Sequence, residues 1–291
     1  MPNTSPSRPR VGLFVSCLVD LYRPQIGFAA LELLERAGCE VAVPQQQTCC
    51  GQPAYNSGDD ASAAELARST IDAMESFDYI VVPSGSCASM LKVHYPELLS
   101  ADPVWSSRAQ QFASKVHELL AFLVDVCEFT EIEAEFEGVV TYHDSCSGLR
   151  ELGISAQPRQ LLASVKKLRL AEMESSDVCC GFGGTFCVKY PEISTRMVSD
   201  KVSLAEQSGA DTVLGGDLGC LLNIQGRISR LGRPLRVLHT AEVLAGMVSG
   251  DDPGIGNLSP AAACGRTDVE ARDSTSAHDS ASASTQNRGQ L

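Results

Sequence analysis

The chain has 291 residues, 36 acidic against 23 basic, for a formal net charge of −13, and 44% of them are hydrophobic. That is enough apolar chain for a substantial core in one large domain or two smaller ones. The acidic balance argues against nucleic acid as a partner, because phosphate binding is driven by Lys and Arg. No apolar run approaches the roughly eighteen residues that a transmembrane segment needs, and VGLFV near the start is too short for the apolar region of a signal peptide. A cytoplasmic location is therefore expected.

VGLFVS at 11–16 is a short apolar run read as a strand. QIGFAALELLERAG at 25–38 has helical spacing at Phe28, Leu31 and Leu34 and ends on Gly38, a C-cap signal. VAVP at 41–44 is β-like, 59–77 helical, DYIVVP at 78–83 a buried strand, and 107–126 helical. The pattern then begins again, with strands at 138–143, 168–173, 211–216 and 235–239 and helices at 158–165, 192–207, 220–230 and 241–248. This alternation predicts an α/β fold with largely parallel sheets, arranged as two pseudo-repeated halves at 11–127 and 138–248. From 249 to 291 Ser, Ala, Gly, Asp and Thr dominate without an aromatic residue. This tail is expected to be disordered.

Twelve cysteines in a chain read as cytoplasmic point to metal or iron–sulfur binding before disulfides. Eight of them fall on one register. Cys17, the pair Cys49–Cys50 and Cys87 repeat as Cys146, the pair Cys179–Cys180 and Cys220; the gaps are 31 and 36 residues in the first half, 32 and 39 in the second. The four lone cysteines follow the ends of predicted strands, the edge where ligands bind in an open α/β sheet. The pairs sit in the loops QQQTCCGQPA and SSDVCCGFGG, where Gly51 and Gly181 permit positive φ and a close approach to inorganic sulfide.

All eight are candidate ligands. Zinc favours thiolates presented as C-x2–4-C knuckles, and none occurs among the eight. An iron–sulfur cluster offers separate irons to separate thiolates, so an adjacent Cys pair spans it with less strain. Four cysteines per half is the count for one [4Fe–4S] or [2Fe–2S] cluster, and this reading is preferred to structural zinc.

These residues resemble the CCG-motif cysteine-rich domain, in which a Cys is followed thirty-odd residues on by CCG and then by C-x-x-C. Tandem copies occur in the cysteine-rich component of heterodisulfide reductase, in the iron–sulfur subunit of glycolate oxidase and in the LutA/YkgE family of lactate-utilisation proteins. The segments CCGQPAYNSG, VPSGSCASM, YHDSCSGLRELG, CCGFGGTFCVKYPEIS, CLLNIQGR and HTAEVL resemble the LutA/YkgE family most closely, across roughly residues 11–248. The resemblance implies an iron–sulfur electron-transfer subunit of an L-lactate oxidation complex, passing electrons from lactate towards a carrier. It implies a non-catalytic or co-catalytic role, one [4Fe–4S] cluster per half and sister subunits as partners, with peripheral membrane association left open. The alternatives are a cluster-based reductase of a disulfide or other organic substrate, or the iron–sulfur subunit of a glycolate-type oxidase.

Ser84 and Asp217 stand where C-x-x-C would place a fifth cysteine. That argues against heterodisulfide chemistry and leaves both as oxygen ligands or hydrogen-bond partners. Cys187 reads as a small buried residue before a fifth thiol, Cys39 and Cys127 as core, and Cys264 lies in the tail. His143, three residues before Cys146, reads as a hydrogen-bond donor to cluster sulfur in preference to a ligand, since its register counterpart is Phe14. His239 is expected to cap or pack, and His94 and His117 to lie on surface helices. Amides at Gly51, Gly181 and the helix starts after Cys87 and Cys220 are expected N–H···S donors. No P-loop or strand–G-x-G-x-x-G–helix motif supports nucleotide or flavin binding.

Overall fold

A computed structural model describes residues 8–248 and 252–255. The apolar runs form two four-stranded sheets whose neighbouring strands are all parallel. The first contains β1 (Arg10–Leu13), β2 (Glu40–Ala42), β3 (Tyr79–Val82) and β4 (Val116–Glu118) in the order β2-β1-β3-β4. The second contains β5 (Glu135–His143), β6 (Lys166–Leu170), β7 (Thr212–Gly215) and β8 (Arg236–His239) in the order β6-β5-β7-β8. The two topologies are the same, so the cysteine repeat is a repeat of architecture, and the α/β expectation holds.

Two local readings differ. Residues 107–126 are not one helix: the helix Pro103–Lys115 ends, β4 intervenes, and Leu119–Ala121 opens a new helical turn. Glu118 causes the restart, because its carboxyl oxygen accepts from the amides of Leu120 (2.8 Å) and Ala121 (3.0 Å) and caps that turn. In the helix Gln25–Arg36 the buried stripe is Ile26, Ala29, Ala30, Leu33 and Leu34, while Phe28 faces solvent.

The halves pack reciprocally. The helix Gly85–Ser89 lies on Cys146–Arg150, and Cys17–Tyr22 lies on Leu218–Leu231. At the far edge Thr240–Leu244 packs on Gln25–Arg36, while Ala156–Ala163 packs on Leu119–Ala121. One hydrophobic core therefore draws on both sheets, joining Val11, Leu33 and Phe122 to Val140, Leu161 and Leu238. Each such fully buried aliphatic or aromatic side chain contributes about 1.5–3 kcal/mol. A buried ion pair, Arg23 Nε to Glu242 Oε1 at 2.8 Å, also ties the first half to the second.

The tail expected from 249 on lies outside the described residues except for 252–255. Those four touch both halves: Asp252 pairs with Arg23 of the first at 3.5 Å, and the Ile255 amide donates to the Val237 carbonyl of the second at 2.8 Å. Among the described residues no helix is long and apolar enough to cross a membrane.

Candidate metal centres

Each lone cysteine is positioned by a capped helix leaving the carboxyl end of a strand. Ser16 and Ser145 cap the helices that begin at Cys17 and Cys146, accepting from the amides of Val19 and Gly148. Ser84 caps the helix holding Cys87, and Asp217 the helix holding Cys220. Ser and Asp suit this place because their side-chain oxygens satisfy the orphan amides of a first turn.

The cysteine pairs lie on loops turned by Gly51 (φ 85°) and Gly181 (φ 82°). This is the left-handed region that glycine enters without a Cβ penalty. At Gly181 a Cβ would stand 3.0 Å from the Ser194 carbonyl oxygen and 3.1 Å from Met197 Cβ; at Gly51 it would stand 3.5 Å from Ala63 O and Leu66 Cβ. The open side of both glycines faces the following helix. Both take the positive φ expected of them, and the absence of a Cβ also serves helix packing.

The structure brings the eight register cysteines together as two quartets. Cys17 Sγ lies 3.8 Å from Cys49 Sγ, and Cys50 and Cys87 stand close enough to shift the ionisation of their neighbours. These thiols line a cavity of about 180 Å³ that Phe182, Gly184 and Leu218 of the second half help to close. In the second quartet Cys146, Cys179, Cys180 and Cys220 are free thiols lining one cavity, close enough for neighbouring sulfurs to perturb one another's ionisation. Its cavity, about 280 Å³, is closed in turn by Gln52, Tyr55 and Asn56 of the first half.

Crowding governs the ionisation of these thiols. Hydrogen bonds from Cys17 and Cys50 hold Cys49 well below the usual thiol range. Cys17 is pushed up by its bond to Cys49 and by burial, and Cys50 by Cys49, Cys87 and burial. In the second half Cys146 is raised by Cys179 and burial. Cys220 is raised too: a bond with Cys180 lowers it, but burial and the Asp217 carboxylate outweigh that. Four thiols in one low-dielectric pocket ionise together only when a cation compensates them. Soft and clustered, the donor set fits a thiophilic metal centre.

Backbone amides are turned towards these sulfurs. The Gly181 amide donates to Cys179 Sγ at 3.3 Å, and Gly51 does the same for Cys49. The Leu18, Ser147 and Phe182 amides lie near enough to Cys17, Cys146 and Cys180 to favour their thiolates. The donating helix starts thus belong to Cys17 and Cys146. The expected ones after Cys87 and Cys220 are engaged within their helices: the Ala88 amide donates to the Ser84 carbonyl at 2.9 Å and the Leu221 amide to the Asp217 carbonyl at 3.1 Å.

Ser84 and Asp217, the two positions lacking the fifth cysteine, meet each other. Asp217 Oδ2 accepts from Ser84 Oγ at 3.3 Å and from the Ser86 amide at 2.8 Å. Both residues are buried. They are hydrogen-bond partners joining the halves between the quartets.

The surroundings of the quartets hold residues that spacing alone did not single out. Tyr95 Oη donates to the Cys50 carbonyl and Asn223 Nδ2 to the Cys180 carbonyl, both at 2.9 Å. Arg159 forks onto Asp144 with two 2.8 Å bonds, fixing the chain beside Cys146. Lys201, fully buried, donates to the carbonyls of Ser175 (2.9 Å) and Ser176 (3.0 Å).

His143 lies against Cys180 and Cys220, its imidazole pushed down to about 3 by burial and the Lys201 ammonium. His239 caps its helix as expected, its Nδ1 accepting from the Ala241 amide at 3.2 Å. His117 and His94 are not simple surface residues. His117 is half-buried on β4 between Tyr79 and Phe122, and His94 stacks on Tyr55 at the edge of the second cavity. Cys187 is half-buried and directs its sulfur at the Gly184 carbonyl, 3.9 Å away. Cys39 and Cys127 lie in or against the main core with their sulfurs 3.9 Å apart.

The family model for the CCG cysteine-rich domain matches residues 11–92 and again 140–225, stretches that contain both quartets entire. The chain is 50% identical to Lactate utilization protein A of Geobacillus kaustophilus and 50% identical to that of Bacillus cytotoxicus, each over 81% of this chain and 98% of the relative. The chain belongs to the lactate utilization protein A family. Among solved structures, a crystal structure of a hypothetical protein from Helicobacter pylori shares the fold at a TM-score of 0.60 and 12% identity, covering 82% of this chain and 49% of that one. This member of the lactate utilization protein A family thus spans about half the length of that structure but nearly the whole of its curated relatives.

Proposed function

We propose that this chain is the iron–sulfur electron-transfer subunit of an L-lactate oxidation complex, with one [4Fe–4S] cluster in each half. One observation carries the reading: two thiol quartets line cavities at the carboxyl ends of two equivalent parallel sheets, in a chain whose relatives are named for lactate utilisation. A bound iron–sulfur centre supplies one-electron redox chemistry at a potential set by its surroundings.

The chain's own residues supply the rest. Cys17, Cys49, Cys50 and Cys87 would hold the first centre, and Cys146, Cys179, Cys180 and Cys220 the second, each as a deprotonated thiolate. Amides of Leu18, Gly51, Ser147, Gly181 and Phe182 withdraw charge from the sulfurs and ease reduction. Gln52, Ser86, Phe182, Gly184 and Asp217 line both cavities, so a single shared wall separates the quartets. The Ser84–Asp217 contact within that wall fixes their relative positions. At the mouth beside Cys17 and Cys49, Leu21 is 72% and Val43 45% exposed. An apolar rim of that kind suits docking of a sister subunit.

Structural zinc is the second reading, favoured by one distance. Two thiolates on a tetrahedral metal with bonds of about 2.3 Å sit roughly 3.8 Å apart, the spacing of Cys17 and Cys49. Against it, the adjacent residues Cys49 and Cys50 line the same cavity, which a centre with several metal atoms accommodates with less strain.

Lactate-driven dye reduction by the anaerobic complex, with and without this chain, tests the electron-transfer reading. Omission, or Cys50→Ala or Cys180→Ala, is expected to abolish dye reduction. Undiminished turnover without the chain overturns the proposal.

A further inference from the structure

We infer that His143 donates an N–H hydrogen bond to thiolate sulfur of the second centre, raising that centre's reduction potential above the first's. The inference rests on the electron-transfer reading above and adds a direction to it.

His143 ends β5 and is 1% exposed. Neither ring nitrogen meets a partner at hydrogen-bond geometry, although the Ser176 carbonyl stands close enough to favour the imidazolium. A polar group buried without a partner is costly. The Ser176 carbonyl nearby already accepts from the Asp144 amide at 3.2 Å and from Lys201 Nζ at 3.0 Å. What the ring does face is sulfur: a ring nitrogen, Cys180 Sγ and Cys220 Sγ all lie within 4.8 Å of one another. A thiolate at either position gives the imidazole its acceptor.

The first half contains no such donor at the equivalent place. Phe14 stands three residues before Cys17 as His143 stands before Cys146; it is fully buried and packs with Cys50 and Cys87. A second difference acts in the same sense. Gly51 faces Ala63 and Leu66 as Gly181 faces Ser194 and Met197, which aligns Lys201 with Thr70. A buried ammonium therefore stands in the second half where the first has a buried hydroxyl. A donor and a cation both favour the more negative, reduced state of a nearby centre. Electrons entering the chain are thereby drawn to the second half.

The test is pulsed EPR and redox titration of the anaerobic, cluster-loaded full chain, labelled with 15N-histidine. A weak 15N coupling at the second centre is expected, lost in His143→Phe and kept in His94→Gln, since His94 lines the same cavity. His143→Phe should lower the second centre's potential by on the order of tenfold in its reduction equilibrium, which is 59 mV for a one-electron couple. The first centre should not move. His143→Gln, which keeps an N–H, should restore most of the loss. A loaded second centre with no histidine coupling and no shift in His143→Phe overturns the inference, and the strong coupling of a directly bound imidazole overturns the donor assignment. A second quartet that takes up no iron overturns the electron-transfer reading itself, and this inference with it.

Discussion

Replacing Asp217 by Ala tests whether the two positions without a fifth cysteine have become the joint between the halves. The carboxylate accepts three hydrogen bonds, from the Ser86 amide, Ser84 Oγ and the Gly219 amide. Losing the cap of the helix Leu218–Leu231 costs about 1 kcal/mol. Leaving the Ser86 amide unpaired in the interface costs about 1–3 kcal/mol more. The sum, roughly 2–4 kcal/mol, corresponds to a fall in Tm of about 4–8 °C for a chain of this size. Urea unfolding of the full chain under anaerobic reducing conditions should show a lower midpoint at unchanged slope. Ser84→Ala alone should cost less, and the double variant should fall short of additivity by about 0.5 kcal/mol or more, because the two side chains share one bond. An effect of Asp217→Ala within about 0.5 kcal/mol, or strict additivity, refutes the joint.

Three other outcomes are expected. Burial raises the Glu118 carboxyl from 4.5 to about 8, so the folded state keeps a proton that the unfolded state has lost. Its stabilising effect is complete below 4.5 and declines by up to about 1.4 kcal/mol per pH unit until the folded group ionises. Buried His143 and His239 oppose this only below 6.5, so Glu118→Gln, which keeps the capping acceptor, should flatten the stability profile between 6.5 and about 8. Gly181→Ala should destabilise more than Gly51→Ala, both by at least about 1 kcal/mol in a urea titration, because only the former meets a carbonyl oxygen at 3.0 Å. Cys39→Ala with Cys127→Ala should leave metal content intact while lowering stability by about 1–3 kcal/mol; loss of metal there would show that the quartets are not the whole site.

The repeat in the cysteines was legible because it is periodic. Four residue positions recur at nearly constant offset, and β1, β3, β5 and β7 are apolar runs that no helix pattern fits. β4 was hidden because Val116, His117 and Glu118 are only three residues wedged between helical segments, so helical spacing ran across them. The repeat held the signal: Glu118 ends its strand and caps a helix as His239 does. The same holds for Ser16 and Ser145, whose Ser-Cys dipeptides announce helices too short for periodicity to detect. Phe28 was misplaced because a strong hydrophobe at helical spacing looks like core, whereas small Ala29 and Ala30 are what let Thr240–Leu244 approach. The Ser84–Asp217 contact and the poorly partnered ring of His143 are tertiary facts, set by how two halves meet, and no local spacing encodes them.

Iron and acid-labile sulfide, counted per chain on anaerobically purified protein with its visible and EPR spectra, test the central claim most directly. Two [4Fe–4S] clusters predict roughly eight iron and eight sulfide per chain, halved when Ala replaces a cysteine of either quartet. Stoichiometric zinc without sulfide, or a colourless protein that binds no metal, would contradict it.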